Sequence, residues 1–308
     1  MNENPEKAGA LKVKSGPGTM AEGIALQRFA ETMLPEDVRI FSDPYAVRFL
    51  DPAVLAWARD HPAETKAIGD EIERQMPGWS NAIRGRIRYC DDMVQNAPAE
   101  GYSQLVILGA GYDTRAYRIR ALTGCMKVFE IDRPAIMERK VRVLAAVFGH
   151  LPDHVSFIPL DMAQAECWDP LRKAGWDPAA RTLFLLEGLV MYLPHDAVLR
   201  LLAEIAGHAG AGSSVLFDFV PRSLADGTSE AEGGQNIRTW TFRIGEPILS
   251  GFADNEVVPV LADLGFTGVQ VVSSREVAML YYTGKNADRK VSGLLSIASA
   301  AVGGGLQR

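Results

Sequence analysis

The 308-residue sequence predicts an α/β fold: a doubly wound, mostly parallel seven-stranded sheet with a helical N-terminal cap and a lid insertion. Two observations carry this. From residue 98 to 220, short apolar runs alternate with helical patterning, the signature of strand–helix–strand units with helices on both sheet faces. Those runs also end in glycine or a carboxylate, and doubly wound sheets bind ligands at their strand C-termini. The expected organisation is a flexible N-terminus, 1–18, one domain, 19–284, and a C-terminal tail, 285–308. Within the domain, the cap spans 19–97, the core 98–220, the lid 221–256 and the final strands 257–284.

Hydrophobic residues make up 47% and charged ones 23%, enough apolar material for one buried α/β core. A net charge of -6 lacks the basic excess of a nucleic-acid partner. No apolar run approaches the roughly 20 residues of a membrane helix, and Met1 to Lys14 contain no apolar signal core, so the expected location is cytoplasmic. Cys90, Cys125 and Cys167 are far apart and odd in number. They predict buried free thiols rather than disulfides or a metal site.

The cap is helical in pattern. Ile24, Leu26 and Phe29 form a stripe from Thr19 to about Phe29, Ser42-Asp43-Pro44 turns the chain into a helical piece from Tyr45 to Leu50, and helices follow over Ala63–Gln75 and Trp79–Asn96. The first strand, Leu105–Leu108, runs into Gly109-Ala-Gly111 and then Tyr112–Tyr117, which can open a helix. Such a turn brings backbone N–H groups close to a ligand. A dinucleotide fingerprint would place a third glycine at 114, where Thr114 stands. Asp113 would repel phosphates and suits a cationic ligand such as the ammonium and sulfonium of S-adenosylmethionine.

The second strand, Lys127–Asp132, carries two carboxylates at its end. Asp132 lies 23 positions beyond Gly109, near the spacing at which doubly wound folds clamp ribose hydroxyls, and is the first candidate, with Glu130 second. A helix, Pro134–Phe148, precedes the third strand, Val155–Leu160, which ends in Asp161-Met162. These two residues suit an adenine ring, unless Asp161 merely caps the next helix. The fourth strand, Thr182–Leu186, ends in Glu187-Gly188, a helix follows from about His195, and the fifth strand is Ser214–Phe219. Residues 222–256, around Arg238, Trp240 and Arg243, are polar and glycine-rich and form the expected lid. Gly265–Val272 and Val277–Thr283 read as an antiparallel final pair, and Val291–Val302 as a short helix of small residues.

Five stretches resemble the leucine carboxyl methyltransferase family, especially its bacterial tetracenomycin-polyketide-type O-methyltransferase branch. They are Asp43-Pro-Tyr-Ala46, Arg86-Ile-Arg-Tyr89 with Asp91-Asp92, Leu108–Arg115, Phe129–Pro134 and Glu187–Leu193, in family order over about residues 20–285. The resemblance implies a class I methyltransferase (Rossmann-like) fold with S-adenosylmethionine as donor. It also implies that Arg86 holds the donor carboxylate, Gly109 the methionine part, Asp132 the ribose, Asp161 and Met162 the adenine, and Glu187 a further donor group, with Gly111 a cofactor-binding candidate from the turn itself. Cys90 stands where relatives often have an aromatic residue, and Gln27-Arg28 matches the family's N-terminal basic pair only loosely.

Methyl transfer from a sulfonium is an in-line displacement that needs alignment and exclusion of water. A carboxylate acceptor, with a pKa near 4, is already ionised and needs no base, which makes a small carboxylic acid the expected acceptor and a methyl ester the product. A phenol would call for one, and His195 is the nearest candidate in sequence, against a surface histidine at a helix start. Tyr192 can direct its hydroxyl at the acceptor or simply pack, and Arg238 and Arg243 can pair with an acceptor carboxylate or remain solvated. A protein C-terminal carboxylate, a nicotinamide oxidoreductase and a non-catalytic S-adenosylmethionine-binding protein are the alternatives.

Overall fold

The computed structural model describes residues 18–162 and 165–303. The flexibility expected of residues 1–18 falls, apart from Gly18, outside them. Four helices come first: α1 (Thr19–Thr32), α2 (Pro52–Asp60), α3 (Pro62–Gln75) and α4 (Trp79–Asn96). The piece expected from Tyr45 to Leu50 is a single 3₁₀ turn, Ala46–Phe49. α2, not anticipated from the pattern, begins at Pro52 with the Asp51 carboxylate accepting from the Ala53 N–H at 2.9 Å.

The alternating part runs β1 (Gln104–Leu108), α5 (Arg115–Arg118), β2 (Lys127–Asp132), α6 (Pro134–Phe148), β3 (Val155–Pro159), α7 (Trp168–Lys173), β4 (Thr182–Leu186), α8 (His195–His208) and β5 (Ser214–Phe219). It continues with α9 (Arg222–Asp226), α10 (Gly234–Arg243), α11 (Val257–Asp263), β6 (Phe266–Ser273), α12 (Ser274–Tyr281) and β7 (Ser296–Val302). The strand order is β3-β2-β1-β4-β5-β7-β6, with β7 antiparallel to both neighbours and the other pairings parallel. From β1 the chain builds outward through β2 and β3, then returns to the other side of β1 with β4. That reversal opens a crevice at the C-terminal ends of β1 and β4.

Both faces of the sheet are covered, so the central strands are apolar throughout. Val106, Leu108, Phe129, Ile131, Phe184 and Leu186 pack with Trp168 of α7, Leu202 of α8 and Leu261 of α11. The alternate residues Leu105, Ile107, Val128, Leu183 and Leu185 pack with Val94 of α4 and Val277 of α12. No helix among the described residues is long and apolar enough to cross a membrane.

The end of the chain departs from expectation. Val277–Thr283 is not a strand: Val277–Tyr281 belongs to α12, held by a capping box in which Ser273 accepts from the Glu276 N–H while Glu276 accepts from the Ser273 N–H. The Ser-x-x-Glu spacing announces that helix. The final strand instead lies in the expected tail, at Ser296–Val302, where the sequence pattern predicts a helix over Val291–Val302. β7 slots between β5 and β6, so its backbone pairs on both edges, and Ala298 and Ala300 pack with Phe217 and Phe266. Its alanines favour helix locally, and sheet context overrides that preference.

Candidate active site

A cavity of about 570 Å³ opens over the crevice, within the range of small-molecule sites. Its floor is made by strand ends: Gly109–Asp113 after β1, Asp132-Arg133 after β2, Leu160–Met162 after β3 and Glu187–Leu189 after β4. Its roof is made by α1, α3, α4, the 3₁₀ turn Val190–Tyr192 and the segment from Trp240 to Leu249.

The glycine turn is tight for steric reasons. Gly109 and Gly111 have φ of 70° and 45°, the left-handed region that glycine adopts without strain, and a Cβ on Gly109 would come within 2.9 Å of the Leu189 side chain. The Gly111 N–H donates to Asp132 Oδ2 at 2.6 Å, while Oδ1 accepts from the Arg133 N–H at 2.7 Å. Asp132 therefore sits in the cavity wall with lone pairs to spare for hydroxyl donors. Glu130, the second ribose candidate, is excluded. One pleat deeper in β2, it is fully buried, 2.7 Å from Lys140 Nζ, and accepts from the Tyr117 hydroxyl at 2.9 Å. Burial raises its carboxyl despite Lys140. Asp161 and Met162 line the cavity, and the N-cap position of α7 is Cys167 rather than Asp161. The helix that Tyr112–Tyr117 was to open is only the four residues of α5, so the turn has no long helix behind it.

Beneath the turn runs a ladder of alternating charges. Arg86 Nη1 donates to Asp218 at 2.8 Å and its Nε to Glu187 at 2.9 Å. Arg115 donates to Glu187 and Asp113, both at 2.5 Å, and to Asp91 at 2.7 Å, and Asp91 in turn accepts from Arg118 at 2.6 Å. Asp218 also accepts from the Gly188 N–H at 2.5 Å, tying the turn after β4 to β5. Three arginines face four carboxylates, leaving one negative charge in excess. Burial alone would raise the Glu187 and Asp113 carboxyls, but Arg115 beside both, with Arg86 on Glu187, outweighs it and holds them below their ordinary values. Burial dominates at Asp218 and pushes it up. Arg86, the arginine expected to hold the donor carboxylate, thus lines the cavity with only Nη2 lacking a hydrogen-bond partner among the described residues.

Sequence reasoning assigned no role to Arg115, Asp91 or Asp218. Arg115 and Asp91 stand within quoted motifs, and Asp218 interrupts the apolar run Ser214–Phe219, where an unpaired carboxylate would be costly.

Tyr192 lines the cavity beside Met76, Trp79 and Trp240, and burial pushes its hydroxyl up, so it stays protonated. His195 does not line the cavity. It opens α8, where its ring packs edge-on against Phe252 with centroids 5.4 Å apart and its Nδ1 is buried without a partner. Arg238 and Arg243 are exposed and also lie outside the lining, with Arg238 donating to the Ala225 carbonyl at 3.3 Å. Of the expected buried thiols, Cys90 and Cys167 are buried but Cys125 is exposed.

A sequence model of leucine carboxyl methyltransferases matches residues 21–206. The chain belongs to that family. A Mycolicibacterium smegmatis relative, provisionally named an S-adenosyl-L-methionine-dependent methyltransferase, is 33% identical over 82% of this chain and 78% of its own. A similarly named Streptomyces avermitilis protein is 35% identical over 65% of this chain and 68% of its own. The fold is shared with a Thermobifida fusca protein provisionally called a methyltransferase, at a TM-score of 0.57 and 17% identity over 77% of this chain and 87% of that one. A DUF574 family protein from Streptomyces avermitilis gives a TM-score of 0.57 and 13% identity over 94% and 97% of the two chains. The protein is therefore an S-adenosylmethionine-dependent methyltransferase with a class I fold. The residues present fit that donor, because the glycine turn leaves room against the floor, Asp132 has accepting capacity in the wall, and the excess negative charge suits a cationic ligand.

Proposed function

We propose that the enzyme is an O-methyltransferase that esterifies the carboxylate of a small, polyketide-like organic acid, in the manner of the tetracenomycin-type branch. The observation that carries this reading is the placement of His195: the base a phenol would need packs on Phe252, away from the cavity. The described lining contains arginines, carboxylates and tyrosines but no histidine or lysine. Bound S-adenosylmethionine supplies an electrophilic methyl group on a positively charged sulfur. A carboxylate oxygen forms the new O–CH₃ bond as the S–CH₃ bond breaks and its electron pair stays on sulfur, so no proton has to move.

The chain's residues then act by holding and shielding. Asp132 accepts from the ribose hydroxyls, Asp161 and Met162 border the adenine, Gly109 and Gly111 admit the methionine part, and Arg86 Nη2 meets the donor carboxylate. Glu187 and Asp113 contribute negative potential from the ladder rather than free contacts, because both are bound to Arg115. Tyr192, kept protonated by burial, can donate a hydrogen bond to the acceptor oxygen but cannot serve as a base at neutral pH.

The test uses labelled S-adenosylmethionine with a panel of carboxylic acids, phenols and C-terminal peptides, followed by mild alkali. Esters release the label as methanol, whereas phenolic ethers retain it. The expected rate is flat from about pH 6 to 8, because a carboxylic acid with a pKa near 4 is fully ionised there. Base-stable label on phenols would overturn this reading, and label on the C-terminal peptides alone would move the acceptor to a protein carboxylate.

A further inference from the structure

The roof of the cavity differs in chemistry from its floor. It presents Ile24, Ile72, Met76, Trp79, Met191 and Trp240, contributed by α1, α3, α4, the 3₁₀ turn and α10. Its charged side chains are all matched within the protein: Arg28 lies 3.1 Å from Asp43, Arg86 is bound to Glu187 and Asp218, and Glu246 lies 3.3 Å from Arg133 while accepting from the Met20 N–H at 2.9 Å. Leu26, Ile72 and Leu249 line the cavity and are also 46%, 43% and 51% exposed, so the apolar lining continues to the mouth.

From this we infer that the acceptor is a monoacid with an extended apolar or aromatic body, and that the roof rejects acids bearing a second charge; the inference rests on the carboxylate reading above. The only carboxylate of such an acid can sit at the donor's cationic sulfur while its body lies against Trp79, Trp240 and Met76. Transfer turns a cation and an anion into a neutral thioether and a neutral ester, and an apolar chamber stabilises the neutral pair relative to the charged one. A second carboxylate would be held among apolar side chains and arginines already paired, where burying a charge without a partner is costly. Trp79 and Trp240 supply flat surface suited to rings.

The experiment compares naphthoate with naphthalene dicarboxylate, and octanoate with suberate, in the full chain. Binding is measured by calorimetry with S-adenosylhomocysteine present, and ester formation by alkali-labile label. Each monoacid is expected to exceed its diacid by about tenfold or more in both readouts, the order expected for a charge partly desolvated against the apolar mouth without a partner. Ile72→Lys places a cation at the mouth and is expected to raise diacid binding about tenfold, a gain that misfolding cannot produce. Trp240→Ala should weaken naphthoate about tenfold while leaving the dissociation constant of S-adenosylhomocysteine within twofold.

Equal binding of monoacid and diacid, or no binding of either monoacid, overturns the inference. Monoacids that bind selectively but receive no label, while phenols acquire base-stable label, leave the roof's selectivity standing and overturn the carboxylate chemistry instead.

Discussion

The floor and the roof of the cavity enclose the same space by opposite means. On the floor, nearly every polar group is held by another: Glu187 bridges Arg86 and Arg115, Asp218 binds Arg86 and the Gly188 N–H, and Asp132 fixes the glycine turn through Gly111. On the roof, Trp79, Trp240, Ile72 and Met76 offer surface and little direction. A floor of this kind recognises one ligand, since preorganised hydrogen bonds and charges are unforgiving of substitution, whereas an apolar roof grades its ligands by size and charge.

Removing a central rung of the ladder tests the comparison most severely. Arg115→Met would leave Asp91, Asp113 and Glu187 buried without their shared cation. Breaking a buried ion pair from one side costs about 3–5 kcal/mol, and urea unfolding should register a loss of that order. On the roof, Ile72→Ala should cost far less, because Ile72 is 43% exposed and its removal leaves little cavity. Comparable losses for the two variants would erase the distinction between an electrostatic floor and an apolar roof.

Asp132→Ala comes next, with its effect on donor affinity. A hydrogen bond to a charged group is worth about 1.5–3 kcal/mol, or roughly ten- to a hundredfold in the calorimetric dissociation constant of S-adenosylmethionine. Glu130→Gln serves as its counterpart on the same strand. Glu130 binds Lys140 and Tyr117 away from the cavity, so this variant should lose stability and leave donor affinity within about threefold. If Glu130→Gln abolished donor binding and Asp132→Ala spared it, the ribose contact would have to be reassigned.

The floor was largely legible in the sequence because its parts are local. A buried strand, two glycines, and a carboxylate 23 positions beyond Gly109 sit in a spacing that the doubly wound topology itself imposes. Strand bounds at β2, β4 and β5 coincide with the apolar runs for the same reason. What escaped notice depends on tertiary context. Glu130 and Asp132 look alike in sequence, and only α6, bringing Lys140 beneath one of them, separates a buried, paired carboxylate from one that faces the cavity. β7 looks helical until β5 and β6 flank it. The roof was the least legible part, since Ile24, Ile72, Trp79, Tyr192 and Trp240 come together from five segments with no shared spacing.

Arg86→Lys probes the boundary between the two regions and should have an intermediate effect. Lysine keeps the charge but cannot hold Glu187 and Asp218 while presenting a further N–H to the cavity. Donor and S-adenosylhomocysteine affinities should fall together, by about five- to tenfold, since both carry the same carboxylate. A loss confined to the methylated donor would place Arg86 near the sulfonium instead.

The smallest expected effect belongs to His195→Gln, and its smallness is what makes it informative. The ring lies on Phe252 with its Nδ1 buried and unpartnered, and glutamine roughly preserves its reach, so folding should be little changed. If the acceptor is a carboxylate, turnover should stay within about twofold of the unmodified enzyme, and the profile should remain flat from about pH 6 to 8 in both, because neither has an acceptor proton to remove. A histidine base would behave otherwise, giving a rate that rises through the imidazole range and falls by about a hundredfold or more on substitution. That outcome would require α8 to carry His195 across to the cavity, and the contrast between a charged floor and an apolar roof without a base would then no longer describe the working enzyme.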